Sequence, residues 1–175
     1  MTDSSWGKTA KPVGGHAVMR TNAALVWSSK SFKTIVPGST AEAETAEASR
    51  ATKSTIFVRN VAMGVRRPIL GPTALLGDNS AMMDLIKKDG TTARTRYFER
   101  ATMLVKYAVM KLIVETHLVP TAKMIADIFT KAVDKETFML MRAWLLNLAD
   151  CESHRASLSR AYRMARALSD LVERL

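Results

Sequence analysis

The sequence predicts an α/β protein, because segments typical of strands and segments typical of helices alternate along its 175 residues. Two short strand-like runs at 16–19 and 23–27 precede a long helical pattern that begins near residue 39. A strand-like run followed by a helix occupies 73–88, and another strand-like run at 112–119 precedes further helical segments. A chain of this length is expected to form one domain with its own core.

The composition indicates which kind of partner and which cellular compartment are expected. Formal net charge is +10, which favours a polyanionic partner such as nucleic acid through counterion release. A protein that associates non-specifically with other molecules, or that is merely soluble, could show the same net charge. A single cysteine, Cys151, excludes an internal disulfide framework and fits either a reducing compartment or indifference to redox state. No apolar run approaches the roughly 18 residues of a membrane span, and the N-terminus lacks the apolar core of a signal peptide. We therefore expect a soluble, intracellular protein without a membrane partner.

The first third of the chain predicts a loop, a hairpin and a helix. Residues 1–15 are poor in apolar side chains and rich in glycine, so they are predicted to be a loop. The two strand-like runs that follow are separated by a polar turn at 20–22, which predicts a β-hairpin. Pro37 and Gly38 then interrupt the chain before the helix.

The segment from Ser39 to Gly64 is the longest predicted element. Ser39 and Glu42 have the S-x-x-E spacing of a capping box, which satisfies free amide groups in a first helical turn, and Gly64 is a typical helix end. Small and apolar residues recur after Glu44 at alternating steps of four and three, which forms one stripe that a sheet can approach closely. The stripe consists of Ala48, Ala51, Thr55, Val58 and Ala62.

Glu44 lies at the N-terminal end of this stripe. Burial of a carboxylate there costs free energy of desolvation unless the group is paired. A metal ion or a second acid that shares a proton would be the usual partner. The alternative is an ordinary, partly solvated acid in the first turn, which the helix dipole favours.

Two further acids occupy positions typical of α/β ligand sites. The apolar run 73–76 stops at Gly77 and Asp78, and ligands of open α/β sheets bind at the carboxyl ends of strands. Asp78 would equally suit a turn, because an Asp side chain readily bonds its own backbone. Asp127 lies in a helix predicted to begin at Pro120, and by itself it is also typical of an exposed helix surface.

The remaining segments are predicted to be helical. A basic helix is expected at 95–110 and an amphipathic one from about 134 to 148. In the last segment, 153–175, apolar residues at helical spacing lie opposite arginines, which predicts a helix that packs on the domain or on a partner. The three histidines are too scattered for a zinc site, and His117, within a strand-like run, is expected to be structural.

Six short motifs follow one another in a defined order along the chain. They are Trp27-Ser28-Ser29-Lys30, the run from Ser39 to Glu44, Asp78-Asn79-Ser80-Ala81, Arg94-Thr95-Arg96, Val119-Pro120-Thr121 and Ala126-Asp127-Ile128-Phe129-Thr130-Lys131-Ala132. Taken together they resemble the ribonuclease H domain at the end of copia-type retrotransposon Pol polyproteins. The resemblance covers about residues 2 to 148, and residues 149–175 lie outside it.

The resemblance implies a ribonuclease H-like mixed sheet flanked by helices, with an additional C-terminal helical extension at 149–175. It also implies a metal-dependent endonuclease that cleaves the RNA strand of RNA/DNA hybrids, as part of a reverse transcriptase polyprotein in the cytoplasm, in virus-like particles or in the nucleus. In that family four acids hold two Mg²⁺ ions, for which Mn²⁺ can substitute. The matching residues here are Asp3, Glu44, Asp78 and Asp127.

Independent chemical reasoning agrees with such a site. Mg²⁺ prefers oxygen ligands, and two ions about 4 Å apart can activate a water and stabilise the leaving oxygen of a phosphodiester. Shape and 2′-hydroxyl contacts would distinguish the hybrid from other duplexes. The expected nucleic-acid contacts are Asn79, Lys87, Lys88, Arg94, Arg96 and Arg100, any of which would equally suit a solvated helix surface.

Several positions depart from the family pattern. Family members have an apolar strand before the first acid, whereas this sequence begins two residues before Asp3, so we expect the first central strand to be mostly missing and two sheet edges to be exposed. The family's Lys-His-Ile-Asp is replaced by 96–99, and Thr45 and Gly77 replace a tyrosine and a cysteine. A second hypothesis is therefore a catalytically inactive, basic nucleic-acid-binding or assembly domain from a decaying retroelement.

Overall fold

The computed structural model describes residues 1–5, 12–20, 23–32, 38–88 and 98–148. These ranges contain five strands, four α-helices and two 3₁₀ helices. The elements are β1 (Thr2–Ser5), β2 (Val13–Arg20), β3 (Ala23–Ser31), α1 (Thr40–Gly64), β4 (Thr73–Gly77), α2 (Ser80–Lys87), α3 (Glu99–Met110), β5 (Val114–Leu118) and α4 (Lys135–Leu145). The prediction of an α/β protein is confirmed. The predicted C-terminal helix, the candidates Arg94 and Arg96, and Cys151 lie outside the described residues.

The strands include both antiparallel and parallel pairs. β1, β2 and β3 form an antiparallel sheet in which Thr2 faces His16, and β4 pairs in parallel with β5. The two sheets meet at β1 and β4, because a Cβ added to Gly77 would lie 4.0 Å from Thr2 Cγ2. This contact brings the residue after Thr2 close to the residue after Gly77, and both of those residues are aspartates.

The predicted loop at 1–15 is wrong at both ends, since Thr2–Ser5 and Val13–Gly15 belong to strands. Pairing with β2 satisfies the backbone N–H and C=O groups of β1. The amino-acid composition of a short segment gives little indication of such pairing. Gly14 is required for packing, because a Cβ there would come 2.1 Å from Glu47 Oε2 on α1.

The long helix α1 forms as predicted and packs on both sheets. Ser39 Oγ accepts a hydrogen bond from Glu42 N at 3.2 Å, and the Glu42 carboxylate accepts one from Gly38 N at 2.8 Å. The stripe of small residues is buried against β1, β2 and α3. Glu44, one turn from the cap, is buried with the stripe rather than solvated.

The described residues of the second half of the chain agree with the predictions except after β5. The helix expected from Pro120 is instead two 3₁₀ helices, Thr121–Lys123 and Ile125–Phe129. Met124 separates them with an extended ψ of 92°, which interrupts the helical hydrogen bonds. α4 is shorter than expected, and its N-cap is Asp134, whose Oδ1 accepts a hydrogen bond from Thr137 N at 2.9 Å.

Two apolar clusters hold these elements in place. One joins α1, α2 and α3 to β4 and β5 around Leu75, Met82, Val105 and Val114. The other joins β2 to the second 3₁₀ helix and α4 through Ala17, Ile125 and Trp144. Within the described ranges, no helix combines the length and apolarity needed to cross a membrane.

Candidate metal centre

Three carboxylates from three separate elements converge where the two sheets meet. Asp3 lies in β1, Glu44 in the second turn of α1 and Asp78 directly after β4. One carboxylate oxygen of each lies within 4.8 Å of one oxygen of each of the others. Asp3 and Glu44 are buried and Asp78 is half-buried, so the group opens to solvent on the Asp78 side. A group of carboxylates so close together and so buried can bind a metal ion.

Hydrogen bonds hold each carboxylate in position. Glu44 Oε1 accepts from Ser4 N at 3.1 Å and from Ser4 Oγ at 2.9 Å. Thr121 Oγ1 donates to Asp78 Oδ2 at 2.8 Å, and Thr130 Oγ1 donates to Asp3 Oδ2. Both threonines belong to the segment after β5. This segment therefore holds in place the carboxylates of Asp3, in β1, and of Asp78, directly after β4.

Glu44 carries the clearest electrostatic sign of a binding site. Burial, followed by the nearby charges of Asp3 and Asp78, raises the pKa of Glu44 to about 8, against the hydrogen bonds from Ser4 that lower it. Its Oε2 is buried without a hydrogen-bond partner in the described part of the protein. A cation at this oxygen would satisfy it and relieve the repulsion among the three acids.

Asp127 lies near enough for the charges of Asp3 and Asp78 to act on it, but it is not one of the three acids whose oxygens lie within 4.8 Å of one another. Burial and the charges of Asp3 and Asp78 raise the pKa of Asp127 to about 6, although Lys131 Nζ lies 2.8 Å from its Oδ2 and opposes the shift. Its other oxygen, Oδ1, is buried without a hydrogen bond in the described residues. The structure thus brings three of the four predicted acids together and places the fourth within their electrostatic reach.

The predicted nucleic-acid contacts have mixed outcomes. Lys87, Lys88 and Arg100 are exposed, as a phosphate contact requires. Asn79 has a structural role as the N-cap of α2, since its Oδ1 accepts from Met82 N at 3.0 Å. Nothing in the described residues shows these side chains forming one surface.

Sequence reasoning missed the polar residues that support the acids. Thr121, Thr130 and Lys131 belong to motifs of the resemblance but carry no individual signal of a supporting role, and Ser4 adjoins Asp3 in a segment predicted to be a loop. The only available signal for Lys131 was its i, i+4 spacing from Asp127.

A second buried polar cluster was also missed. His16 Nδ1 lies 2.6 Å from Glu47 Oε1 and His16 Nε2 lies 2.8 Å from Ser54 Oγ, while Arg50 donates to Glu47 Oε2 at 3.2 Å. The Arg50 guanidinium is itself stacked over the Phe32 ring, 4.5 Å from its centroid. This cluster joins β2 to α1.

His117 is buried, as expected of a structural residue, with Nε2 3.4 Å from Glu115 Oε2.

Comparison of the chain with models of known families, with characterised proteins and with solved structures found no match.

Substitution of Glu44 by Gln should stabilise the metal-free protein at pH 8 and leave its stability at pH 5 nearly unchanged. The folded-state pKa is raised from 4.5 to about 8, so the folded state binds more protons than the unfolded state between these values. The free energy of unfolding therefore falls as the pH rises from about 4.5 to about 8, whereas Gln at this position does not titrate and causes no such fall. We expect a gain on the order of 3 kcal/mol at pH 8, measured by chemical unfolding in chelator.

The exposed acid Glu136, changed to Gln, is the matched control and should show no such difference between the two pH values. Added Mg²⁺ should stabilise the parent at pH 8 far more than the Glu44→Gln variant, because the variant lacks one ligand charge. Equal stability of parent and variant at pH 8 in chelator would contradict the electrostatic interpretation of the site.

Proposed function

We propose that this protein is a metal-dependent endonuclease that cleaves the RNA strand of RNA/DNA hybrids, in a ribonuclease H-like domain. The single observation that supports it most strongly is the convergence of Asp3, Glu44 and Asp78 to within 4.8 Å at the junction of the two sheets. The resemblance to retrotransposon Pol ribonuclease H domains supports the choice of reaction. The net charge of +10 supports a polyanionic substrate.

The residues fit a site for divalent ions of the Mg²⁺ type. All donors are carboxylate oxygens, which hard cations prefer, and two of those oxygens are buried without another partner in the described structure. Asp3, Glu44 and Asp78 would hold the metal, and Asp127 would complete the set. Bound Mg²⁺ would supply an activated water and neutralise charge on the phosphodiester.

The chain's own groups would position the acids and set their protonation. Ser4, Thr121 and Thr130 each donate to one carboxylate and so restrict its rotation. The raised pKa of Glu44, about 8, means that cation binding must displace a proton at neutral pH. Metal affinity is therefore expected to increase as the pH rises from 6 to 8.

A direct assay tests the proposal. A hybrid with a label on either its RNA or its DNA strand is incubated with the protein in Mg²⁺ and in chelator. The proposal requires cleavage of the RNA strand alone, and only with Mg²⁺. Cleavage of both strands would refute the hybrid specificity, and cleavage in chelator would refute the metal dependence.

One observation favours the alternative, a basic nucleic-acid-binding or assembly domain without catalysis. The Lys131 ammonium lies 2.8 Å from Asp127 Oδ2, so a permanent cation already neutralises one of the four acids. Under this alternative the protein binds hybrids but does not cleave them. Substitution of Lys131 by Met would then leave cleavage undetectable, whereas in an active enzyme it would change the metal dependence.

Hybrid binding should weaken steeply with salt. If Lys87, Lys88 and Arg100 each neutralise one phosphate, affinity should fall about 40-fold between 50 and 200 mM salt, from a slope of about −0.9 per contact. Fluorescence anisotropy of a labelled hybrid measures this slope. Changing all three residues to Gln should reduce the slope by about 3, and the exposed α1 residue Lys53, changed to Gln, serves as the control. Affinity that is indifferent to salt would contradict the expectation.

A further inference from the structure

Two consecutive residues, Thr130 and Lys131, each engage one acid of the candidate metal centre. Thr130 Oγ1 donates to Asp3 Oδ2, and Lys131 Nζ lies 2.8 Å from Asp127 Oδ2. One oxygen of each of these two acids is therefore already in contact with a hydrogen-bond donor. A second oxygen of the same carboxylate is close to the first, so the ammonium repels a divalent cation from either oxygen of Asp127.

The Lys131 ammonium also lies in the electric field of the other acids. Burial by itself lowers the pKa of Lys131, but the hydrogen bond with Asp127 and the charges of the nearby acids outweigh burial and raise that pKa above its ordinary value. The acids that act on it are Asp127, Asp3 and Asp78. Lys131 is therefore a fixed positive charge within the group of four acids.

The three converging acids offer the opposite environment. One oxygen each of Asp3, Glu44 and Asp78 lies within 4.8 Å of the others, and Glu44 Oε2 is buried without a hydrogen-bond partner in the described residues. Three oxygens at that spacing can surround a single ion, because Mg²⁺ binds oxygen ligands at about 2.1 Å. Before substrate binds, one divalent cation and the ammonium nearly balance four carboxylates, whereas two divalent cations and the ammonium would exceed them.

We propose that the centre binds one divalent cation, held by Asp3, Glu44 and Asp78, rather than the two that the resemblance implies. The Lys131 ammonium takes the place of the second cation beside Asp127. This inference rests on the proposed function and specifies its metal count. In cleavage the ammonium would offer the phosphodiester the positive charge that a second ion otherwise supplies, together with hydrogen-bond donors.

A count of bound ions tests the proposal without any need for cleavage. The full chain is titrated with Mn²⁺, which also suits carboxylate ligands, and the free ion is followed by its electron paramagnetic resonance signal. Displacement by Mg²⁺ shows whether the two metals share the site. The parent should bind one Mn²⁺ per chain. The Lys131→Met variant should bind a second ion, because it frees Asp127 Oδ2 and removes the repelling charge.

Three further variants separate the role of the ammonium from a general change in charge. Lys131→Arg keeps a cation at this position and should bind one ion. Lys135→Met makes the same charge change at the exposed first residue of α4 and should also bind one ion. Lys131→Gln, checked like the others by chemical unfolding, should reproduce the second ion of Lys131→Met. Two ions on the parent, or one ion on both folded neutral variants, would overturn the proposal.

The dependence of cleavage on Mg²⁺ extends the count to the protein with its hybrid bound. Below saturation, a tenfold decrease in Mg²⁺ should slow the parent about tenfold and the Lys131→Met variant about 100-fold, as mass action requires for one ion and for two. A 100-fold decrease in the parent would overturn the proposal. One bound Mn²⁺ without cleavage would refute the endonuclease and support the metal count, whereas the absence of Mn²⁺ binding would refute both.

Discussion

Replacement of Asp78 by Asn should reduce Mg²⁺-dependent cleavage of the hybrid by at least about 100-fold. Even residues that only support metal ligands typically change activity or metal affinity by 10–100-fold, and Asp78 would be a ligand itself. The substitution removes a charge without adding bulk, and the Thr121 hydroxyl retains an acceptor oxygen in the Asn side chain. Folding and hybrid affinity should therefore be nearly unchanged.

The matched control is Asp84→Asn, which changes an exposed acid on α2. Initial cleavage rates, thermal unfolding and hybrid affinity are measured for both variants under the same conditions. Cleavage by the Asp78→Asn variant at the parent rate would exclude this acid from catalysis. Absence of cleavage by the well-folded parent, with intact hybrid binding, would favour the inactive binding domain.

Removal of the His16 side chain by substitution with Ala should destabilise the protein by about 3 kcal/mol. Glu47 is fully buried, and His16 Nδ1 lies 2.6 Å from its Oε1, so the variant leaves a buried carboxylate with Arg50 as its remaining ion-pair partner. For a protein of this size the melting temperature should fall by roughly 6–12 °C. Chemical and thermal unfolding measure the two quantities.

Two companion variants separate the causes. Ser54→Ala removes only the hydrogen bond to His16 Nε2 and should cost about 1 kcal/mol. The double variant His16→Ala with Glu47→Leu should recover part of the stability, because no buried charge is left unpaired. If His16→Ala costs no more than Ser54→Ala, the histidine does not compensate Glu47 and the interpretation of this cluster is wrong.

Capping residues and the spacing of apolar residues were sufficient to predict several elements of the fold from the sequence. The Ser39–Glu42 spacing predicted where α1 begins, and the alternating small residues predicted its buried face. The apolar run that stops at Gly77 predicted β4 and the position of Asp78 at its end. These signals depend on residues close in the chain, through capping hydrogen bonds and helical periodicity.

Contacts between residues far apart in the chain determined β1 and the convergence of the three acids, which the sequence alone did not predict. β1 is a strand because it pairs with β2, and the acids meet because β1, α1 and β4 bring positions 3, 44 and 78 together. The second 3₁₀ helix, which carries Asp127, contacts β1 and β2, which are remote from it in the sequence.

The sequence by itself therefore determined the α/β class, the helix boundaries of α1 and the identity of the candidate acids. The tertiary structure alone decided that Asp3, Glu44 and Asp78 share one site and that His16 lies against the buried Glu47. The physical reason is that capping and periodicity act within a few residues, whereas desolvation of a carboxylate depends on every element packed around it.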